Sequence, residues 1–270
     1  TPTDGSVTSD KLAYPFVVNE DGAAASDFRV ESDSKTHMLF VDAGNNAICV
    51  GTDTHDTGPL VVQTGNSHAT AMTVQSTGTT QLMLKDTDAS SNDKYWGLQI
   101  SGGDFNILTM DDDKASNFVT PLTINQSGAM TKPLQPAFLV QPSSQQSNFA
   151  IDSSVVVAFG TEKFDQNADF ASNTFTAPVT GKYQLNAHLR IEAMDTGATY
   201  FQLRLNTSNE TYSPIISPVF SGDASYWTLQ IAILADMDAN DTATVYIRQQ
   251  GGTAQGDIDT ESYFSGYLAC

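Results

Sequence analysis

The sequence predicts an all-β protein in two parts, a repetitive first half and a sandwich-forming second half, on three observations. Apolar residues alternate with polar ones at Tyr183, Leu185, Ala187, Leu189 and Ile191, at Phe201, Leu203 and Leu205, and at Leu229, Ile231 and Ile233. That is the period of strands with one buried face. No stretch of ten or more residues carries an apolar stripe at helical spacing, and Thr, Ser, Asn, Asp and Gly punctuate the runs as turn residues. The third observation is an internal repeat.

Phe28-Arg29-Val30-Glu31-Ser32 lies over Met72-Thr73-Val74-Gln75-Ser76, and Met38-Leu39-Phe40-Val41-Asp42 over Leu82-Met83-Leu84-Lys85-Asp86, at a spacing of 44 residues. The copies span about residues 28–46 and 72–90, and Pro121-Leu122-Thr123-Ile124 opens a degenerate third. Short-strand repeats need neighbours to bury their apolar faces. With few large aromatics, the neighbour is expected to be the next repeat or the same repeat in other chains. Gln126 to Gln135, with Gly128 and Pro133 and followed by Pro136, breaks the strand pattern, so the boundary is placed near Lys132. The expected domains are 1–132 and 133–270.

Twelve Lys and Arg stand against 31 Asp and Glu, a net charge of -19. Such a field repels phosphate backbones and anionic headgroups, so nucleic acid is not expected as a partner. No run reaches the roughly 20 apolar residues of a membrane helix, and membrane insertion is not expected. Cys49 and Cys270, the only cysteines, are too few for a disulfide framework, which fits assembly in a reducing compartment. A chain opening on Thr1 is read as part of a longer product.

The second half resembles the C1q-like domain through several motifs in order: Pro136-Ala137-Phe138-Leu139-Val140, Val155-Val156-Val157-Ala158-Phe159, then Phe175-Thr176-Ala177-Pro178 with Gly181 and Tyr183, and finally Phe264-Ser265-Gly266-Tyr267-Leu268. Pro178 cannot donate to a ladder, and Gly181 is read as allowing a backbone shape that a β-carbon would resist. Gly266 leaves room for a close neighbour. The resemblance implies a C1q/tumour-necrosis-factor-like jelly-roll sandwich and a homotrimer, with the last strand near the threefold axis and Tyr263, Phe264, Gly266 and Tyr267 in the trimer core.

The first half resembles marine phage tail-fibre shafts through Gly5-Ser6-Val7-Thr8-Ser9-Asp10-Lys11-Leu12-Ala13, Met38 to Asn45 and Val50-Gly51-Thr52. Collagen Gly-X-Y triplets do not occur. Together the two resemblances imply a β-rich fibre shaft leading to a trimeric jelly-roll head. The implied function is the receptor-binding part of a bacteriophage tail fibre, a virion protein joined to an upstream tail-fibre or baseplate protein and attaching to a host-surface glycan or protein. The alternatives are a secreted or surface-anchored bacterial C1q-like adhesin and a glycan depolymerase.

No Gly-x-Ser-x-Gly elbow or phosphate-binding glycine loop occurs, and with 31 acidic residues, chance carboxylate pairs carry no weight, so an enzyme is not expected and no catalytic residue is named. Asp236-Met237-Asp238-Ala239-Asn240-Asp241 begins like a calcium loop but has Asp241 where Gly is wanted, and reads as a solvated turn. His37, His55, His68 and His188 lack paired metal-ligand spacing.

In an antiparallel sandwich, alternate connections fall at one end. If the last strand runs back toward the shaft, residues 251–261, 220–225 and 194–198 share the free tip, and 236–241 the shaft side. Loops on a rigid scaffold carry recognition, so Asp195, Thr196, Ser221, Asp223, Gln255, Asp257, Asp259 and Glu261 are the candidate receptor contacts. No cofactor is required; the resemblance to C1q-like domains, some of which bind calcium through apical acidic residues, implies a calcium site at Asp223, Asp257 and Asp259, with solvated loop tips as the other reading.

Overall fold

The structure, a computed structural model, describes residues 27–53, 59–63 and 72–270. The Gly5 to Ala13 motif, His55 and His68 lie outside the described residues. Among those described, every regular element is a strand. By contacts the chain divides into two compact units, Thr1–Thr80 and Gln81–Cys270.

The first unit holds β1 (Phe28–Val30), β2 (Leu39–Asp42), β3 (Ala47–Val50) and β4 (Leu60–Val62) in one sheet, in that order. The first three are antiparallel, and β4 joins β3 in parallel. Asp42 ends β2 by accepting the Asn45 backbone N–H at 2.9 Å, and Asn46 takes a φ of 54° to close the hairpin. Phe40, Ala47 and Cys49 are buried, while Val41, Ile48 and Val50 on the alternate positions are exposed.

The second unit, which takes in all of β5 (Thr80–Lys85) but its first residue, continues with β6 (Tyr95–Ser101), β7 (Asp104–Met110), β8 (Val119–Ile124) and β9 (Met130–Thr131), a five-stranded sheet in sequence order. The hydrophobic triplet of the repeat is a strand in both copies, β2 and β5. Its opening segment is a strand only in the first, since residues 72–76 form none. Among the described residues Leu108 and Met110 are buried here, but Leu82, Leu84, Trp96, Ile100 and Met130 are exposed, so this sheet carries exposed apolar surface.

The sandwich follows. One sheet contains β10 (Ala137–Gln141), β12 (Thr161–Asp165), β15 (Gly181–Met194), β19 (Ala224–Met237), β21 (Asp257–Ile258) and β22 (Tyr263–Leu268), running β12-β10-β22-β15-β19 with β21 beside β15. The other contains β11 (Ser154–Val156), β13 (Phe170–Ala171), β14 (Thr174–Thr176), β16 (Ala198–Thr207), β17 (Thr211–Tyr212), β18 (Ile215–Ile216) and β20 (Thr242–Gly251), running β13-β14-β20-β16-β17 with β11 on β20 and β18 on β16. The alternation read from the sequence sets the inner face: Tyr183, Leu185, Leu189, Ile191, Phe201, Leu203 and Leu205 are all fully buried.

Phe138 is the centre of the aromatic core, with its ring 4.7 Å from Phe175, 5.0 Å from Phe264 and 5.4 Å from Phe170. Gly266 makes this possible, because a β-carbon there would stand 2.8 Å from Phe138 Cε1 and 2.6 Å from Leu185 Cδ2. Gly181 is required for space rather than for backbone shape: it has no positive φ, and a β-carbon would stand 2.7 Å from the Cys270 carbonyl oxygen. The residues before β10 are bonded to the base of the sandwich, with Gln135 Nε2 donating to the Leu268 carbonyl at 2.7 Å and Gln166 Nε2 to the carbonyls of Lys132 and Gln135 at 3.0 and 2.6 Å.

Candidate functional site

Strand registers place the candidate loops together. Met194 pairs with Ala224, Glu192 with Asp257 and Ala198 with Gly251, so the turn after β15, the loop before β19 and the segment after β20 meet at one end of the sandwich. Gly181 pairs with Met237 at the opposite end, beside Cys270, where the 236–241 turn lies. That turn is closed by Asp241 Oδ2 accepting the Asp238 N–H at 2.9 Å.

The tip carboxylates divide by what they bond. Asp195, 5 % exposed, accepts the N–H groups of Gly197 at 2.6 Å, Thr253 at 2.6 Å and Ala254 at 2.9 Å. These backbone bonds, with Ala254 and Thr253 foremost, hold its carboxyl below the ordinary range. Asp259, 9 % exposed, accepts Arg190 Nη2 at 2.6 Å and the Glu261 N–H at 2.7 Å. Burial pushes the Asp259 carboxyl up, but the bonds from Arg190 and Glu261 outweigh it and the group lies below its ordinary value. The Glu192 carboxyl is raised by the neighbouring Asp259 carboxyl and by burial.

Asp195 and Asp259 are thus largely buried, with their carboxylates bonded to the loop backbone and, for Asp259, to Arg190. Asp223 accepts Thr196 N–H and Oγ1 at 2.8 and 2.7 Å, and these bonds lower its pKa. Asp257 accepts the Asn148 N–H at 2.6 Å. Ser221, Asp223, Gln255 and Glu261 are exposed, and Thr196 and Asp257 half-buried. Among the described residues no group of three or more His, Cys, Asp or Glu side chains is placed to hold a metal ion, so Asp223, Asp257 and Asp259 are not gathered into one within the chain.

Two features of the tip were not named from the sequence. Gln249 is fully buried in line with Val245 and Ile247, donating to the Ala254 carbonyl at 2.8 Å and accepting the Gly256 N–H at 3.3 Å. A polar side chain at a core position of an alternating strand was its signal. Phe220, the first residue of the 220–225 loop, and Trp227 have ring centroids 5.0 Å apart with planes tilted by 38°; their pairing was not read, and aromatics in a turn-rich segment were its signal.

The four residues assigned to the trimer core also divide, because neighbours along a strand face opposite ways. Phe264 and Gly266 point into the sandwich and are buried within one chain, which corrects that assignment. Tyr263 and Tyr267 point outward. Tyr263 stacks on His188 at 4.9 Å with planes 5° apart, and Tyr267 is 50 % exposed.

The family model described as "C1q domain" matches residues 137–269. None of the curated proteins matches the chain. Among solved structures, the globular domain of zebrafish complement 1qA is 21 % identical, covering 50 % of this chain and 98 % of that one at a TM-score of 0.38. Murine APRIL at pH 8.5 is 12 % identical with the same coverages and a TM-score of 0.37. With its two-sheet topology and aromatic core, the segment that the family model matches, residues 137–269, is a C1q domain.

Proposed function

We propose that the chain is the receptor-binding end of a bacteriophage tail fibre, a homotrimeric adhesin without catalytic activity that is assembled in the host cytoplasm and carried on the virion. Domains of the C1q and tumour-necrosis-factor type commonly trimerise and bind receptors. The observation that carries the trimer here is β19. It ends its sheet, and from Ala224 to Ala235 it holds no charged residue in a chain of net charge -19. Tyr226 and Leu234 on it are 62 and 58 % exposed. The opposite edge strand, β12, carries Glu162, Lys163 and Asp165, the usual protection against edge pairing. An unprotected edge beside an outward face bearing Tyr263 and Tyr267 suits a second copy of the chain, and cyclic symmetry closes such a contact.

The fibre reading adds the resemblance of the first half to tail-fibre shafts and the exposed apolar surface of β5 to β9, which suits chains wound together. Threefold presentation turns a weak single contact into strong attachment. The test is binding of the full chain to intact bacterial cells, with mass measured in solution. Three times the chain mass, and cell binding lost when residues 220–225 and 251–261 are exchanged, is expected. A monomer, or unchanged binding after the exchange, overturns the proposal.

A further inference from the structure

The loop before β19 carries apolar surface that a turn does not need. The rings of Phe220 and Trp227 lie 5.0 Å apart with planes tilted by 38°, yet stay 36 and 37 % exposed, and Val219 beside them is 90 % exposed. Turns are ordinarily built from polar residues and glycine. The platform is held in place: the Val219 N–H donates to the Ser217 carbonyl and the Phe220 N–H to the Pro218 carbonyl, both at 2.9 Å, and Asp223 anchors the loop to Thr196. Both bonds from Thr196 fall on Asp223 Oδ1. Ser221 is exposed beside it, and Ser225, two residues before Trp227, lies on the same face of the strand.

Charge limits what such a platform can take. Residues 195–197, 217–225 and 252–261 contain no Lys, Arg or His, but do contain Asp195, Asp223, Asp257, Asp259 and Glu261. Arg190, the nearby cation, is paired with Asp259 at 2.6 Å, so the remaining carboxylates set the field and anionic groups are repelled there. Size limits it too, since two rings fall far short of the roughly 800 Å² that each partner contributes to a stable protein interface. A sugar ring in its chair form fits both limits: its C–H face lies flat on an aromatic ring, and its hydroxyls bond serine and carboxylate oxygens.

We propose that Phe220 and Trp227 form a stacking platform for a neutral saccharide, with Ser221, Asp223 and Ser225 bonding its hydroxyls. This rests on the adhesive reading above and names the class of receptor.

The chain has two tryptophans, so in the full-length Trp96→Phe variant Trp227 is the sole tryptophan and can be excited selectively at the red edge of the absorption band. Its emission is titrated with neutral oligosaccharides of glucose, galactose, mannose and N-acetylglucosamine, with polygalacturonate as the anionic control. A saturable change with at least one neutral member, and half-saturation raised about tenfold by Phe220→Ala, is expected. Three results overturn the proposal: no response to any neutral sugar, a response to polygalacturonate alone, or a change of oligomeric mass in Phe220→Ala, which would show that another copy covers the pair. Cell binding that survives periodate oxidation of the cells but not their proteolysis overturns the saccharide and leaves adhesion standing. Oligosaccharide binding without cell binding overturns adhesion alone.

Discussion

Asp195 Oδ2 accepts the Thr253 N–H at 2.6 Å, so a buried carboxylate in the turn after β15 fixes the start of the long segment between β20 and β22. One side chain thereby shapes two of the three tip loops, and the exposed tip residues sit on a frame that is not itself free to bind.

Asp195→Ala leaves the N–H groups of Gly197, Thr253 and Ala254 without their acceptor, and a lost charged bond of this kind costs about 2 kcal/mol. Urea unfolding should show that loss, and hydrogen exchange should show faster exchange at Thr253 and Ala254 than at core amides such as Leu203. The pH dependence has a definite sign. The folded carboxyl lies below its ordinary value of 3.8, so the unfolded chain takes up the proton first. The contribution is complete above the ordinary value and is lost as pH falls through the folded one, so the gap between wild type and Asp195→Ala should close in acid.

Asp169 carries the opposite sign. Its carboxyl is raised by burial and then by the Asp165 charge, and its Oδ2 is buried without a hydrogen-bond partner. The folded state now binds the proton more tightly than the unfolded one, so stability falls as pH rises from the ordinary value of 3.8 through the raised one. Asp169→Asn removes the charge and should stabilise the protein at neutral pH, by under about 1 kcal/mol after solvent screening. Thermal melts should show this gain at pH 7 and its disappearance toward pH 3.

Much of the sandwich was legible because a strand's period of two writes burial directly into sequence: every alternating residue from Tyr183 to Ile191 is buried. Loop placement was legible by counting reversals. What the pattern could not show was which partner each tip carboxylate takes. Asp195 and Asp223 read alike, yet one accepts three backbone N–H groups and the other Thr196, since loop backbones fold around acceptors whose neighbours are distant in sequence. Phe264 and Tyr267 likewise share one motif, and only the register against β10 shows which faces the core.

That register separates folding from assembly. Phe264 packs against Phe138 at 5.0 Å within the chain, so Phe264→Ala should cost about 3–5 kcal/mol and weaken folding itself. Gly266→Ala would force a β-carbon against Phe138 and Leu185, and overpacking of this kind costs about 1–3 kcal/mol. Both losses should appear in chemical denaturation.

Tyr267 is half exposed on the outer face of β22, in register with Gln184 and, through it, with Leu234. If that face receives a neighbouring chain, Tyr267→Ser and Leu234→Ser leave each sandwich intact, because neither side chain contributes to its core. The double variant should keep the far-ultraviolet circular dichroism of wild type while its mass in solution falls to that of a single chain on dilution. Cell attachment should fall with it, since the tip loops are untouched and only their threefold presentation is lost. A variant that stays trimeric at every concentration would place the contact on another face of the sandwich.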